Sequence, residues 1–278
     1  MDHVTRRYFQ PTYVKKFRCD GRNCGAACCR AGWEIEIDDG TYKKYSSMKN
    51  LPQHFTFNAQ LQKFCIEPSA AGICPYLDAD YLCSIQKKYG EEYLSETCRQ
   101  YPRQTFDFGN YFERSLSLVC PLAAGMILNS ARIEFEWIDV DDRTHQQSEI
   151  FEPNVPIEYR KDFVMIQRSA IEILQYRALS IADRLTELGR FFMVDDQPFR
   201  AESSNPILIE NYLVHEFFIN AYPWRFDMPI EYNLKIFFWN AEEILRRSPT
   251  VESIRDFVTM SNHDMDYISE QLKRLQFD

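Results

Sequence analysis

A chain of 278 residues, 45% hydrophobic and 26% charged, has the composition of a globular protein with enough apolar material for a substantial core, as one large domain or two modest ones. Its aromatic content of 15% sets it apart from disordered chains. The formal net charge of -9, with no basic stripe beyond the first thirty residues, excludes general attraction to phosphate backbones, so no nucleic-acid partner is expected.

The opening MDHVTRRYFQPTYVKKF carries charges but no continuous apolar segment, so it does not read as a secretory signal. No uninterrupted apolar run is long enough to span a bilayer, and the expectation is a cytoplasmic protein with no membrane partner. FRCDGRNCGAACCRAGW follows, a C-x4-C-x3-CC cluster of Cys19, Cys24, Cys28 and Cys29. Gly21 and Gly25 lie inside it, as expected where a loop must turn several sulfurs toward one point. Adjacent Cys28 and Cys29 diverge in either regular structure, so they serve one metal only from an irregular turn, or else have two destinations. WEIEID then alternates like a half-buried strand.

CPYLDADYLC supplies Cys74 and Cys83, and CSIQKKYGEEYLSETCRQYPR reads as two short helices broken near Gly90, the second carrying Cys98. TFDF and YFERSLSLVC flank Gly109-Asn110, a pair suited to a hairpin turn with glycine first, and the second of them ends at Cys120. RIEFEWIDV gives another alternating strand. The polar, proline-punctuated DVDDRTHQQSEIFEPNVP predicts a linker over 139–156. Beyond it, KDFVMIQRSAIEILQYRALSIADRLTELGRFF, ILIENYLVHEFFINAY, LKIFFWNAEEILRRS and MDYISEQLKRLQF show the i, i+3, i+4, i+7 spacing of amphipathic helices. The fold class expected is α+β, mainly α: a small metal-organised, cysteine-rich N-terminal domain with short strands (1–138), followed by a helical bundle (157–278).

All nine cysteines lie in the first 120 residues, and an odd number in a reducing compartment argues for metal ligation over disulfides. Eight have recognisable settings and would fill two four-sulfur sites, or one site with several thiols left over. Cys65, in KFCIEP, is the ordinary buried cysteine. His3, His54, His145, His215 and His263 are scattered away from these segments, leaving a soft all-sulfur donor set. C-x2-C zinc knuckles and the C-x2-C-x2-C run of bacterial ferredoxins are both absent, so spacing alone leaves zinc and iron-sulfur open. Lys15, Lys16, Arg18, Arg22 and Arg30 surround the first loop, where cations favour thiolate over thiol or simply face solvent.

FRCDGRNCGAACCRAGW, CPYLDADYLCSIQKKYGEEYLSETCRQYPR and RSLSLVCP, in this order, resemble the flagellin lysine N-methylase family, part of a wider group of zinc- or iron-chelating cysteine-cluster proteins. The resemblance runs from about Phe17 to Pro121. It implies an S-adenosylmethionine-dependent methyltransferase acting on lysine side chains of flagellin, with a 4Fe-4S iron-sulfur cluster favoured over zinc. The metal ligands it implies are Cys19, Cys24, Cys28, Cys29, Cys74, Cys83, Cys98 and Cys120. The competing readings are a non-enzymatic metal-binding protein and an iron-sulfur electron-transfer protein.

Direct methyl transfer needs a neutral amine, whereas a free lysine titrates at about 10.4. Tyr76, Asp78, Asp80 and Tyr81, grouped beside Cys74 and Cys83, are the candidate catalytic residues, as proton acceptors or as aromatic faces for a sulfonium. CPYLDAD is also good turn chemistry, with Tyr76 in the core. Arg103 and Arg114 are candidates to grip the cofactor carboxylate, or to bridge an acidic neighbour. No glycine-rich Rossmann loop is visible, and the C-x3-C-x2-C spacing of radical chemistry breaks at Ala31.

Overall fold

A computed structural model describes residues 5–141, 150–194, 205–247 and 249–263. Strand β1 (Thr5–Pro11) leads into the short helices α1 (Tyr13–Lys16) and α2 (Gly21–Cys24), and a 3-10 turn at Cys28–Arg30. After β2 (Ile35–Ile37), α3 (Asp39–Ser47) is capped by Asp38, whose carboxylate accepts from the amide of Thr41. Strands β3 (Phe55–Asn58) and β4 (Lys63–Ile66) complete a small sheet of order β2-β4-β3. Next come α4 (Ser84–Tyr89), a 3-10 turn at Glu91–Tyr93 and α5 (Glu96–Gln100). Strands β5 (Arg103–Asp107) and β6 (Phe112–Leu116) form the expected hairpin, with Gly109 at φ 88°, a backbone setting that glycine tolerates without strain. Helix α6 (Pro121–Leu128) and strands β7 (Phe135–Asp141) and β8 (Ile150–Phe151) follow. The larger sheet has the order β7-β1-β6-β5-β8 and is mixed: β1 runs parallel to β6 and antiparallel to β7.

The remainder is helical: α7 (Ile157–Arg160), α8 (Phe163–Leu174), α9 (Ile181–Phe191), α10 (Pro206–Ile219), α11 (Ile230–Arg246) and α12 (Val251–His263). The architecture is thus mixed α/β with helices predominating, and no helix among the described residues is long and apolar enough to cross a membrane. The periodic stretch 161–192 divides in two because Ser180 starts a new helix, its hydroxyl accepting from the amide of Asp183 at 3.1 Å. Within the polar stretch 139–156, strands β7 and β8 occupy the two flanks, and 142–149 lies outside the described residues. The helix expected over MDYISEQLKRLQF also lies outside them, while α12 has no counterpart in the sequence expectation.

Two apolar cores result. The larger runs through Phe9, Tyr13, Leu116, Ala124 and Ile127 into Phe163, Leu185, Phe217, Phe237 and Ile254, joining the main sheet to the helices. Helix α10 lies at its centre and is buried from Leu208 to Ile219 on every face, where an amphipathic helix was expected. Its polar residues are therefore paired internally. Glu210 accepts from both Arg177 and Arg184, Glu216 meets Arg225 at 3.0 Å, and His215 Nδ1 lies 2.9 Å from the Tyr13 hydroxyl. The smaller core, Ile37, Tyr45, Leu51, Ile66, Tyr76, Ile85 and Leu94, supports the small sheet and packs against Cys74, Cys83 and Cys98.

Candidate functional site

The cysteine loops are brought together by backbone. Asp20 caps α2 by accepting from the Arg22 amide, and α2 then presses on the turn before α4 so closely that a Cβ on Gly21 would stand 2.1 Å from the carbonyl oxygen of Tyr81. Only glycine permits that approach. The loop bearing Cys28 and Cys29 is tied to the one bearing Cys74 by the Cys74 amide donating to the Cys29 carbonyl at 2.8 Å, and by the Gly32 amide donating to the Gly72 carbonyl at 3.0 Å. Cys83 and Cys120 stand at the N-caps of α4 and α6, and Cys98 lies in the first turn of α5, where the Ser95 hydroxyl accepts from its amide.

Eight sulfurs thereby enter one electrostatic neighbourhood. Desolvation, then the charges of Cys28, Cys24, Cys120 and Cys83, pushes Cys19 up to about 12; the residue is exposed, but its surroundings are crowded enough for desolvation to dominate. Burial also pushes Cys98 up to about 12, with Cys83, Cys74 and Cys28 adding to it. Cys74, Cys83 and Cys120 are raised as well, burial first, against nearby amides that favour the thiolate. At Cys83 and Cys120 no amide completes a full capping hydrogen bond, yet Ile85, Gln86, Leu122 and Ala123 approach the sulfurs closely enough to pull in that direction. Cys28 and Cys29 have their sulfurs 3.9 Å apart and titrate in opposite directions. The hydrogen bond from Cys29 lowers Cys28 to about 7, and the same bond raises Cys29. Cys28 links the group: its charge is felt by Cys19, Cys29, Cys74, Cys83, Cys98 and Cys120, and that of Cys83 is felt by both Cys19 and Cys98.

All eight are free thiols, and the donor chemistry, soft and unoxidised, is of the kind that zinc and iron-sulfur centres take. Among the described residues, no group of three or more His, Cys, Asp or Glu side chains stands in a metal-holding arrangement. Cys65 is fully buried in β4, opposite Glu36 and Thr56 and outside the group.

The residues beside Cys74 and Cys83 are engaged in the turn. Tyr76 is buried, donates from its hydroxyl to the Pro52 carbonyl at 2.8 Å and accepts from the His54 amide. Asp78 accepts from the amides of Asp80 and Leu82, both at 2.9 Å. Both aspartates meet the ammonium of Lys87, at 2.8 and 2.9 Å, which holds the Asp78 carboxyl below the usual carboxylate range. Tyr81, at φ 62°, is exposed with Arg30 over its ring. Arg103 and Arg114 lie on paired strands, one over the ring of Phe17 and the other over that of Tyr8 at 4.1 Å. Burial, then the charge of Arg114, lowers Arg103 from the ordinary guanidinium value.

One feature has no counterpart in the sequence expectation. A cleft of about 680 Å³ opens beside Cys24, between the first cysteine loop and α12, with Trp33, Arg255 and Asp256 among its walls. Trp33 sits within the quoted cysteine segment, but nothing in the local sequence connects it to residues more than two hundred positions later.

Comparison with curated proteins gives 39% identity over 129 residues to a Lysine-N-methylase of Salmonella typhimurium and to one of Salmonella choleraesuis. In both cases the match takes in 43% of this chain, which spans about a third (32%) of the length of those relatives. Flagellar biosynthetic protein FliU of Salmonella muenchen is 38% identical over 130 residues, a match covering 76% of that protein. No family model matches the chain. No solved structure matches it.

Proposed function

The chain belongs to the flagellin lysine N-methylase family, and from that premise we propose that it transfers methyl groups from S-adenosylmethionine to lysine side chains of flagellin. We propose further that its eight clustered thiols hold a metal centre, iron-sulfur in preference to zinc. The observation that carries the metal reading is that Cys19, Cys24, Cys28, Cys29, Cys74, Cys83, Cys98 and Cys120 are all free thiols, and that the loop of Cys28 and Cys29 is tied to that of Cys74 by a backbone hydrogen bond. The names of the relatives support the methyl-transfer reading.

When bound, S-adenosylmethionine supplies a methyl carbon on a sulfonium: the C–S bond breaks as the C–N bond to lysine forms, and S-adenosylhomocysteine leaves. The metal centre, when held, would draw the thiolates together and add folding energy to the N-terminal half. The chain's own residues have three tasks. The clamp from Cys74 to Cys29 and the helix starts at Cys83 and Cys120 orient the sulfurs. The glycine contact at Gly21 keeps α2 against the turn at Tyr81. The pairing of Lys87 with Asp78 and Asp80 fixes the turn between Cys74 and Cys83.

The test is anaerobic purification followed by iron, zinc and acid-labile sulfide analysis and a visible spectrum, then incubation with flagellin and methyl-labelled S-adenosylmethionine. Iron with matching sulfide and label on flagellin lysines are expected. A metal-free protein that still methylates would remove the metal centre from the reading. Loaded protein that never labels flagellin would remove the activity.

A further inference from the structure

The cleft beside Cys24 contains a combination of groups that the cysteine cluster itself lacks. Helix α12 presents a cation and an anion side by side: Asp256 accepts from Nη2 of Arg255 at 2.8 Å, and the Asp256 side chain is mostly exposed. Nη1 of Arg255 has no hydrogen-bond partner among the described residues. Trp33, 45% exposed, also lines the cleft, its ring near perpendicular to that of Tyr101 with centroids 5.8 Å apart. Cys24 lines the same cleft as the indole, which places the cleft directly beside the first cysteine loop. The walls also include the small apolar residues Ala27, Ala31 and Pro121 and the polar Asn23 and Thr259, and they leave room for a ligand of small-molecule size.

Neighbouring opposite charges complement a zwitterion. A guanidinium with free donors accepts an α-carboxylate, the adjacent carboxylate accepts the α-ammonium, and an exposed indole takes a planar ring or a sulfonium on its face. A lysine side chain offers one cation and no carboxylate, and so would leave Arg255 unmatched. The geometry points to this cleft as the binding site for S-adenosylmethionine, with Arg255 and Asp256 on its amino-acid end and Trp33 on its adenosyl-sulfonium end. The assignment rests on the methyl-transfer reading above and adds a location to it. It also sets the cofactor apart from Arg103 and Arg114, whose guanidinium groups lie over the rings of Phe17 and Tyr8.

Isothermal titration of the anaerobically purified full chain with S-adenosylhomocysteine and S-adenosylmethionine tests it. Trp33→Ala and Arg255→Gln are each expected to weaken binding about tenfold or more, Arg255→Lys by less, and Arg190→Gln on α9 not at all. Wild-type protein should discriminate against decarboxylated S-adenosylmethionine, and Arg255→Gln should lose that discrimination, an effect that general loosening of the fold does not produce. Thermal melting and metal content of each variant, unchanged from wild type, show that the fold is intact. Wild-type binding with both variants equally tight overturns the cleft assignment and leaves the methyl-transfer reading standing. A wild-type chain that binds neither ligand overturns both.

Discussion

Glu113 and His215 are buried in the shared core, and each is held in its neutral form. Desolvation pushes the Glu113 carboxyl from 4.5 up to about 8, against hydrogen bonds from Gln167 and Tyr111 that favour its charge. Burial lowers His215 from 6.5 to about 3. Between pH 4.5 and 8 the folded protein holds a proton on Glu113 that the unfolded chain has released, so this stability is complete below the lower value and fades as pH rises through the upper. Between pH 6.5 and 3 the unfolded chain protonates His215 and the folded one does not, so stability falls as pH falls. Melting temperature is therefore expected to peak between these limits and decline toward pH 8 by the equivalent of a few kcal/mol, and Glu113→Gln should flatten the alkaline side. A decline as steep in the variant as in wild type, measured by calorimetry across that range, would assign it elsewhere. The sequence offers no sign of either shift, because it does not reveal which carboxylate faces a core. It does set Cys65 apart, since KFCIEP lacks the motif setting of the other eight cysteines, and that residue lies buried in a strand of the small sheet.

At the scale of elements, the hairpin of β5 and β6 and the broken helices around Gly90 follow their sequence signals closely, since each is set by local turn chemistry. Strand β1 has no such signal. Tyr8, Phe9 and Gln10 are all buried, because both its edges and both its faces are covered, and the alternation of a half-exposed strand is lost. Helix α10 loses its polar face for the same reason. The contact of α2 with the turn at Tyr81 is similarly silent in sequence, although the glycine that permits it is visible. Gly21→Ala places a methyl group where a carbonyl oxygen stands and must push the two cysteine loops apart. The expected cost is about 1–3 kcal/mol, as for other overpacked positions, together with reduced metal content in protein purified anaerobically. Wild-type melting and metal content in this variant would show that the loops do not depend on that approach.

At the scale of the molecule, composition divides the chain at 139–156, but the larger core draws on residues from Phe9 to Val258 and includes both sides of that division. A fragment ending at residue 138 would uncover Leu116, Ala123, Ala124 and Ile127, all fully buried in the whole chain. Such a fragment is expected to aggregate or to melt without cooperativity, whereas in the full chain the larger core should melt cooperatively by circular dichroism and by aromatic fluorescence. A well-dispersed amide spectrum from the fragment would contradict this. The order of strands in the larger sheet bears also on biosynthesis. Strand β1 occupies an interior place between two partners, β6 and β7, that are made roughly a hundred residues after it, with Tyr13 reaching a histidine still further on. A nascent chain thus carries β1 unmatched until both neighbours have been made, and closure of the sheet has to wait for those later strands.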